Sequence, residues 1–431
     1  TKRLEEARVA AGTGLSAVGA RGRGRAYHWG FRPPFPAESP MSQRSVVILS
    51  GVRTAIGDYG GSLKDIAPAE LGAKVVREAI SRAKADPHDI GQCVIGNVIH
   101  GEARDMYISR LCAVNGGLPH DTGAFTVNRL CGSGMQAIVS AAQYILLGET
   151  DTAVAGGTES MSRAGYLSTS QRWGARMGDA KMIDMMVGAL TDPFDVVHMG
   201  ITAENVAKQC ELTREVQDQF AVESHKRATA ALAAGHFKSQ IVPIELKSKK
   251  GPIQFDTDEH VRADASLEGM AKLKAVFQKE NGTVTAGNAS GINDAAAAVV
   301  LMEEGVAAKK GLKPMARLVA YGHAGIDPKI MGLGPVSAVK SALAKAGLKI
   351  SDLDVIESNE AFAAQALGVS KELGLDPAKV NPNGGAVALG HPIGATGAIL
   401  TVKCMYELHR THKRYGLITM CIGGGQGIAA I

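Results

Sequence analysis

Short runs of apolar residues alternate with stretches of helical period along most of the chain. Strand-like runs include SVVILSG, QCVIGNV and TAVAGG, and residues 68–84 carry the apolar spacing of a helix. A second helix is predicted after Cys131, where Met135, Ile138 and Ala142 keep helical spacing. Continuous apolar strands that alternate with helices are typical of mostly parallel sheets with helices on both faces. The pattern therefore predicts an α/β fold.

The pattern repeats itself in the second half of the chain. Residues 79–99 resemble residues 342–362, and the stretch around Cys131 resembles GHPIGATG around His391. A third pair, TAVAGGTES and LITMCIGGGQG, has nearly the same offset of about 260 residues. These agreeing offsets predict two similar α/β halves related by duplication. The first strand of the second half is expected in ARLVAYG.

One long segment, roughly residues 161–291, has no counterpart in the other half. It contains an amphipathic helix that is expected to begin near Thr213, with Glu215 in its first turn. A non-repeating insert between duplicated cores typically supplies specificity or assembly. We therefore predict an N-terminal domain over residues 41–305, which includes this inserted loop domain, and a C-terminal domain over residues 312–431.

Composition narrows the possible classes of function. The 431 residues include 52 glycines and only 4% aromatic residues, which suits close backbone packing rather than the stacking of nucleic-acid bases. The net charge of +5 is small for this length and indicates no polyanionic partner. The six cysteines form no C-x-x-C pair, so we expect reduced thiols and no metal site. No apolar run approaches the roughly 20 residues of a membrane span. We predict a soluble, cytoplasmic protein with no nucleic-acid or membrane partner.

Residues 1–40 differ from the rest of the chain. They are rich in arginine, have no acidic residue between Glu6 and Glu38, and are followed by Met41. Such a leader is compatible with a mitochondrial transit peptide, or with a stretch upstream of a natural start at Met41. We favour a disordered extension without function, because Glu5, Glu6 and many glycines weaken an amphipathic helix.

Cys131 stands among glycines between a predicted strand and a predicted helix start. A thiol there feels the positive end of the helix dipole, which lowers its pKa and favours the thiolate. Considered alone, a buried structural cysteine explains the position equally well. His391 occupies the matching place in the second half, again at an expected helix start. If the two helix starts face each other, His391 comes close to Cys131 as its base.

Two further segments place polar groups at strand ends. Cys421 enters the glycine turn CIGGGQG and is either a second reactive thiol or a buried strand-end cysteine. The backbone N–H groups of Gly423 and Cys131 are candidates for holding an oxyanion. Asn359 is able to hold a water or donate to a carbonyl, and Glu360 is able to orient a histidine. On spacing alone, helix capping is the better explanation for both.

Seven motifs carry a resemblance to a known family. In chain order they are NRLCGSGMQAI, GGTESMS, HMGITAENVA, TAGNASGINDAAAA, NEAFAAQA, NPNGGAVALGHPIGATGA and CIGGGQG. The set resembles the thiolase family over about residues 45–431, and within it the bacterial biosynthetic thiolases and broad-range β-ketothiolases. The resemblance implies the thiolase fold: two duplicated α/β halves with mixed five-stranded sheets, stacked in five layers as αβαβα, with an inserted loop domain.

The resemblance also implies roles for individual residues. Cys131 would be the nucleophile that takes the acyl group, His391 its base and one oxyanion donor, and Cys421 the base for the second substrate. Asn359 would hold the water that completes this first oxyanion hole, and the N–H groups of Cys131 and Gly423 would form a second one. The other matched positions would contact coenzyme A or line the pocket: His198, Arg262, Ser290, Met199, Met331 and Phe362.

The implied reaction is the reversible condensation of two acetyl-CoA to acetoacetyl-CoA and CoA, together with thiolysis of 3-ketoacyl-CoA. The resemblance implies no prosthetic group, and a homotetramer assembled as a dimer of dimers. The alternatives are a degradative or broad-range 3-ketoacyl-CoA thiolase for longer chains, a ketoacyl synthase, and a non-catalytic acyl-CoA or lipid-binding protein of the same fold. The second cysteine argues against the synthase, and the complete set of four reactive side chains argues against the binding protein.

Overall fold

The computed structural model describes residues 44–431, which form one compact unit. The predicted disordered leader, residues 1–40, lies outside the described residues, as do the first residues of the predicted N-terminal domain. None of the helices within residues 44–431 combines the length and the apolar character that crossing a membrane requires.

The strands are numbered along the described chain. They are β1 (Val46–Arg53), β2 (Gly57–Asp58), β3 (Gln92–Gly96), β4 (Gly123–Val127), β5 (Thr152–Ser160), β6 (Tyr166–Leu167), β7 (Ile183–Asp184), β8 (Ile244–Leu246), β9 (Ile253–Phe255), β10 (Asn293–Glu303), β11 (Ala316–Arg317), β12 (Tyr321–Gly325), β13 (Val355–Ser358), β14 (Gly416–Ile422) and β15 (Gln426–Ala430).

The helices are numbered in the same way. They are α1 (Pro68–Ala83), α2 (Ile108–Asn115), α3 (Ser133–Leu146), α4 (Met185–Ala189), α5 (Met199–Gln209), α6 (Arg214–Ala233), α7 (Leu267–Ala271), α8 (Glu304–Lys309), α9 (Gly334–Ala346), α10 (Ala363–Leu373), α11 (Ala386–Leu389) and α12 (Thr396–Thr411). Short 3-10 helices span Pro87–Asp89, Ala103–Tyr107, Met161–Arg163, Pro328–Leu333 and Ile350–Asp352.

The first sheet has the strand order β11-β1-β10-β5-β3-β4, with the two-residue β2 beside β10. Strand β3 runs parallel to β4 and β5, whereas β10 runs antiparallel to β1 and β5. The expectation of mostly parallel sheets is therefore wrong, because apolar runs report burial on both faces and not strand direction. Five longer strands make up the core of this sheet, and the short β2 and β11 raise the total to seven.

The second sheet repeats the order and directions of the first. Its order is β12-β15-β14-β13, with β13 and β14 parallel and β15 antiparallel to both neighbours. A fifth strand is reduced to one parallel bridge between Ile356 and Val380. The next residue, Asn381, has φ of +44° and is followed by Pro382, so the strand cannot continue. The predicted duplication is confirmed, although this sheet has four strands rather than five.

ARLVAYG does not form one strand of the second half. Ala316 and Arg317 pair with β1 in the first sheet, and the second sheet begins only at Tyr321. The predicted strand therefore divides between the two sheets. The expectation of a single strand is wrong, because an apolar run does not reveal which partner each residue pairs with.

Helices and sheets stack in five layers, as the resemblance implied. Helices α3 and α12 lie between the sheets, and residues of both pack against the first sheet on one side and the second on the other. Helices α1 and α2 cover the outer face of the first sheet, and α9 covers the outer face of the second. The middle helices are thus buried on both sides, which explains why the apolar residues of α12 are not confined to one face of the helix.

The residues between β5 and β10 contain β6 to β9 and α4 to α7. Helix α6 begins as predicted: the Thr213 hydroxyl accepts from the Val216 N–H, and Glu215 lies in the first turn. A fully buried ion pair, Arg53 with Asp258 at 2.7 Å, ties this segment to β1. In the second half, by contrast, β14 passes directly into β15 through three glycines.

Candidate active site

Cys131 lies on the short connection from β4 to α3, two residues before the helix begins. The preceding Leu130 has φ of +45°, a costly conformation for a side chain of this size, and strain of this kind tends to be kept where it aims a functional group. The partly buried thiol packs among Ile99, Met161 and Ile393. Ile393 belongs to the GHPIGATG segment, so the two matching segments meet at Cys131.

The Cys131 thiol does not have the lowered pKa that the sequence predicted. Burial raises its pKa to about 11, and hydrogen bonds from the backbone N–H groups of Gly423 and Cys131 itself lower it by less than burial raises it. The loss of water around the sulfur outweighs the effect of the nearby helix start, and this loss depends on residues of the second half of the chain. The thiol is therefore protonated near neutral pH, and it lies against two N–H groups suited to an oxyanion.

His391 is buried, and its hydrogen bonds define its tautomer. The Thr396 hydroxyl donates to the Pro392 carbonyl at 3.0 Å, so it accepts from His391 Nδ1–H at 2.7 Å. Nε2 then carries no proton and accepts a long hydrogen bond, at 3.4 Å, from Asn359 Nδ2. Burial lowers the pKa of His391 to about 4, which keeps the ring neutral. Helix α12 begins only at Thr396, so the predicted placement of His391 at a helix start is wrong.

Asn359 and Glu360 follow β13, but neither caps a helix. Helix α10 begins at Ala363 with Phe362 at its N-cap, and no side chain caps it. The Asn359 N–H donates to the Thr419 carbonyl at 2.9 Å, which leaves its side chain facing His391. Asn359 Oδ1 is buried without a partner.

Glu360 turns away from His391, so it does not orient that ring. Its carboxylate accepts from the Ser224 hydroxyl at 2.7 Å, Asn381 Nδ2 at 2.7 Å and the Val387 N–H at 3.1 Å. Burial raises the pKa of Glu360, and these three hydrogen bonds lower it. Glu360 thus joins α6 to the segment before α11 instead of serving the site.

Cys421 lies near the end of β14, fully buried. Burial raises the pKa of its thiol, and a negative charge on Cys131 raises it further. The neighbours of the two cysteines touch: a Cβ on Gly132 would lie 2.5 Å from Ile422 Cδ1. The adjoining turn has to be glycine: a Cβ on Gly423 would lie 2.7 Å from Met199 Cε, and Gly424 and Gly425 both have φ near +80°. The segments of the two cysteines therefore meet at this turn.

A small apolar cluster surrounds Cys421. Met199, Met331 and Phe362, which the sequence assigned to the pocket wall, are all buried in it. They come from three separate regions: the start of α5, the 3-10 helix Pro328–Leu333 and the N-cap of α10. The structure thus brings these predicted residues together around one thiol.

His198 lies beside this cluster as the N-cap of α5. Its Nδ1 accepts from the Gly200 N–H at 3.0 Å, and its ring stacks on Phe277 with centroids 4.5 Å apart. Phe277 in turn meets Phe362 edge to face at 6.3 Å. Sequence reasoning missed Phe277, because the surrounding KAVFQKE carries no motif and its partners are distant in sequence.

Ser290 and Arg262 take different positions relative to this cluster. The Ser290 N–H donates to the Ala361 carbonyl at 3.0 Å, next to Phe362. The Arg262 side chain is 62% exposed and lies 3.4 Å from Asp58. The structure therefore brings Ser290 beside the predicted site, whereas Arg262 pairs with Asp58 at the surface.

Two buried polar residues beside the site were also missed. Glu159 on β5 accepts four hydrogen bonds, and Asn293 on β10 accepts one from the His391 N–H at 2.9 Å. Burial raises the pKa of Glu159 to about 8, against the effect of its N–H donors. The one available signal was a charged residue inside the apolar run TAVAGGTES. Residues 44–431 contain no group of three or more His, Cys, Asp or Glu placed to hold a metal ion.

Comparisons with known proteins match nearly all of the described residues. The family model "Thiolase, N-terminal domain" matches residues 46–305, and "Thiolase, C-terminal domain" matches residues 312–431. The chain is 68% identical to beta-ketothiolase BktB of Cupriavidus necator over 388 residues, which is 90% of this chain and 98% of that protein. It is 49% identical to the acetyl-CoA acetyltransferase of Syntrophomonas wolfei, over 90% and 98% of the two chains.

Solved structures agree with these relatives. The Bacillus anthracis acetyl-CoA acetyltransferase superposes with a TM-score of 0.88 at 46% identity, over 90% of this chain and 98% of that one. Human mitochondrial 3-ketoacyl-CoA thiolase in complex with CoA superposes with a TM-score of 0.87 at 43% identity, over 90% and 97%.

Proposed function

The chain belongs to the thiolase family, and from that premise we propose that it is an acetyl-CoA C-acetyltransferase that joins two acetyl-CoA into acetoacetyl-CoA and CoA. The same site catalyses the reverse reaction, thiolysis of 3-ketoacyl-CoA. Its substrates are coenzyme A thioesters, and it needs no prosthetic group. The observation that carries the proposal is the contact between the segments of Cys131 and Cys421, where Gly132 abuts Ile422 and Gly423 abuts Leu130.

In the first step, Cys131 Sγ forms a bond to the acetyl carbonyl carbon of acetyl-CoA. The thiol proton passes to His391 Nε2 as the S–C bond forms, because a free thiolate is costly at this buried position. The oxyanion accepts from the N–H groups of Cys131 and Gly423. The C–S bond to CoA then breaks, His391 returns the proton to the CoA thiolate, and acetyl-Cys131 remains.

In the second step, the Cys421 thiol passes its proton to His391 Nε2, and the resulting thiolate takes a proton from the methyl carbon of another acetyl-CoA. The enolate oxygen is held by His391 and a water on Asn359, which the unpartnered Asn359 Oδ1 supports. The carbanion attacks the acetyl-Cys131 carbonyl and the Cys131 thiolate leaves, giving acetoacetyl-CoA. The Cys131 thiolate then takes the proton from His391 Nε2, so both thiols and the imidazole return to their starting state.

We propose that the remaining predicted residues hold the substrate. His198 and Ser290, on either side of the cluster around Phe362, would meet the pantetheine arm, and the exposed Arg262 would lie near the nucleotide. Met199, Met331 and Phe362 would form the pocket wall around the reacting carbon. The N-terminal and C-terminal domains, residues 41–305 and 312–431, would then each supply one of the two cysteines.

We also propose a homotetramer, assembled as a dimer of dimers. Edge strand β4 is only half-buried along its whole length, which suits pairing with a second copy. The segment Tyr166–Val187 exposes several large apolar side chains, among them Trp173 (90% exposed) and Met177 (97%). A cytoplasmic location suits this chemistry, because Cys131 and Cys421 have to stay reduced.

Incubation with acetyl-CoA tests the proposed function. Peptide mass spectrometry is expected to find one acetyl group on Cys131. The variant Cys421→Ala is expected to keep this acetylation and to lose condensation, because only the second step needs the second thiol. An unmodified Cys131, or an acetyl group elsewhere on the wild-type protein, would contradict the proposal.

A second candidate is a thiolase that accepts longer chains. It is favoured by the 68% identity to a protein named beta-ketothiolase and by the likeness to a 3-ketoacyl-CoA thiolase. Thiolysis rates with 3-ketoacyl-CoA of increasing length distinguish the two candidate functions. An acetyl-specific enzyme loses activity with the first carbons added to the acyl chain, whereas a thiolase for longer chains does not.

A further inference from the structure

We propose that Glu159 and Asn293 are positioning residues, which hold the His391–Gly394 segment of the second half against the first half so that His391 reaches the reacting atoms. This inference rests on the proposed function. Neither residue belongs to the predicted catalytic set, and both project from central strands of the first sheet.

Glu159 accepts hydrogen bonds from two separate segments of the chain. Its Oε2 accepts from the Gly394 N–H at 2.8 Å and from the Val98 N–H at 3.0 Å. Its Oε1 accepts from the Ile99 N–H at 3.1 Å and from Asn97 Nδ2 at 3.0 Å. The carboxylate therefore fastens one end of the His391 segment to the residues that follow β3.

Asn293 fastens the other end of the same segment. Its Oδ1 accepts from the His391 N–H at 2.9 Å, and its Nδ2 donates to the Gly57 carbonyl at 3.1 Å. The fit is close, because a Cβ on Gly390 would lie 2.4 Å from Asn293 Cγ. Asn293 thus anchors the backbone of the proposed base to β2.

The strand register places both side chains on one face of the first sheet. Glu159 pairs with Ala295 across β5 and β10, and Asn293 lies two residues from Ala295. Gly157 lies on this face as well, and a Cβ there would be 2.1 Å from the Gly394 carbonyl oxygen. This face of the first sheet therefore packs closely against residues 391–394.

All four partners of Glu159 are N–H donors, and none of them can accept a carboxyl proton, so these hydrogen bonds favour the ionised form although burial raises the pKa to about 8. A glutamine would turn its NH₂ toward two of these donors and lose two hydrogen bonds. A carboxylate fully buried on a central strand is costly unless it has such partners. The His391 segment supplies one of these partners, the Gly394 N–H, and the residues after β3 supply the other three, so the buried acid is stabilised where the two segments meet.

The variant Glu159→Gln tests the inference. We expect kcat for thiolysis of acetoacetyl-CoA to fall on the order of 10- to 100-fold, because a displaced His391 transfers the proton poorly. KM is expected to stay within about threefold, because Glu159 touches no substrate. Rates are expressed per titrated Cys131 thiol, so that loss of folded protein does not count. The matched control Asp105→Asn changes a buried carboxylate that accepts backbone N–H groups of Gly101 and Glu102, and it is expected to leave kcat unchanged.

A double variant separates positioning from a general structural role. In the His391→Ala background, Glu159→Gln is expected to cause no further loss in the single-turnover acetylation of Cys131, because its effect acts through His391. A multiplicative loss in this double variant, or an unchanged kcat in Glu159→Gln, would overturn the inference. If Glu159→Gln does not fold, Asn293→Ala is measured in the same way with the same expectations. A wild-type protein that fails to acetylate Cys131 would instead refute the proposed function.

Discussion

At the scale of single residues, the thiol of Cys131 is stabilised in its protonated form. Burial raises its pKa to about 11, while a neutral His391, with a pKa lowered to about 4, keeps Nε2 available. The two groups are thus both neutral at rest. In the proposed reaction, charge develops only as acyl transfer begins, where the N–H groups of Cys131 and Gly423 are already in place.

The pH dependence of alkylation follows from this raised pKa. We expect the rate of Cys131 alkylation by iodoacetamide to rise nearly tenfold per pH unit between pH 8 and pH 10, because the reactive thiolate is still a minor species there. A free thiol, with a pKa near the reference value of 9.0, levels off over that range and serves as the control. Peptide mass spectrometry confirms the labelled residue. A rate for Cys131 that is flat above pH 8 would contradict the raised pKa.

Sequence patterns identified the residues that meet at Cys421, but not their environment. Met199 and Phe362 lie in two of the seven motifs, and Met331 was assigned through the resemblance to the family. The pKa of Cys131 was predicted in the wrong direction, because desolvation is set by segments distant in sequence. Glu159 was missed for the same reason: its four partners come from two separate stretches of chain.

At the scale of elements, α3 and α12 cross at glycines. A Cβ on Gly397 would lie 2.3 Å from the Met135 backbone nitrogen, and one on Gly134 would lie 2.9 Å from the Ala398 nitrogen. Because the close atoms are backbone, neither helix can yield by changing a rotamer. This contact fixes the spacing of the two middle helices, and through them the segments that carry Cys131 and His391.

Gly397→Ala is therefore expected to destabilise the fold by about 1–3 kcal/mol, since the added methyl group pushes the two helix backbones apart. The free energy of unfolding from urea denaturation measures this change. Gly188→Ala is the control: no atom lies within 4 Å of the added Cβ, so we expect a change of at most about 1 kcal/mol, in the stabilising direction. Equal stability of the two variants would contradict close packing of α3 on α12.

The boundaries of α1 and α6 were predictable, whereas the start of α12 and the strand partners were not. Helix α1 was expected over residues 68–84 and spans Pro68–Ala83, and α6 begins after the predicted Thr213 cap. These limits are set by local signals. The splitting of ARLVAYG between two sheets and the loss of a fifth strand at Val380 depend on pairing between distant segments, which one-dimensional periodicity does not contain.

At the scale of the whole molecule, the segment Tyr166–Val187 leaves apolar surface that one copy does not cover. Light scattering of the wild-type protein is expected to give four times the chain mass of 44.8 kDa. Charges at two of its most exposed positions, Trp173→Glu with Met177→Glu, are expected to reduce the particle to a dimer, because burying unpaired carboxylates is costly.

Ile253→Glu is the control for this experiment. It introduces the same charge at an exposed apolar position outside the segment and is expected to leave the mass unchanged. A wild-type protein with the mass of one chain, or a double variant with unchanged mass, would contradict this assignment of the segment.

The central position of β10 has a consequence for biosynthesis. Strand β10 lies between β1 and β5 in the sheet. Residues 161–292 are nevertheless translated after β5 and before β10. At 5–20 residues per second, the ribosome needs on the order of 10 s for that stretch. Throughout this interval the nascent first half displays the facing edges of β1 and β5 without their partner, the kind of surface that aggregates and that chaperones bind. In the second half, β14 escapes this hazard because β15 emerges directly behind it, whereas β12 waits for the same partner while residues 326–425 are made.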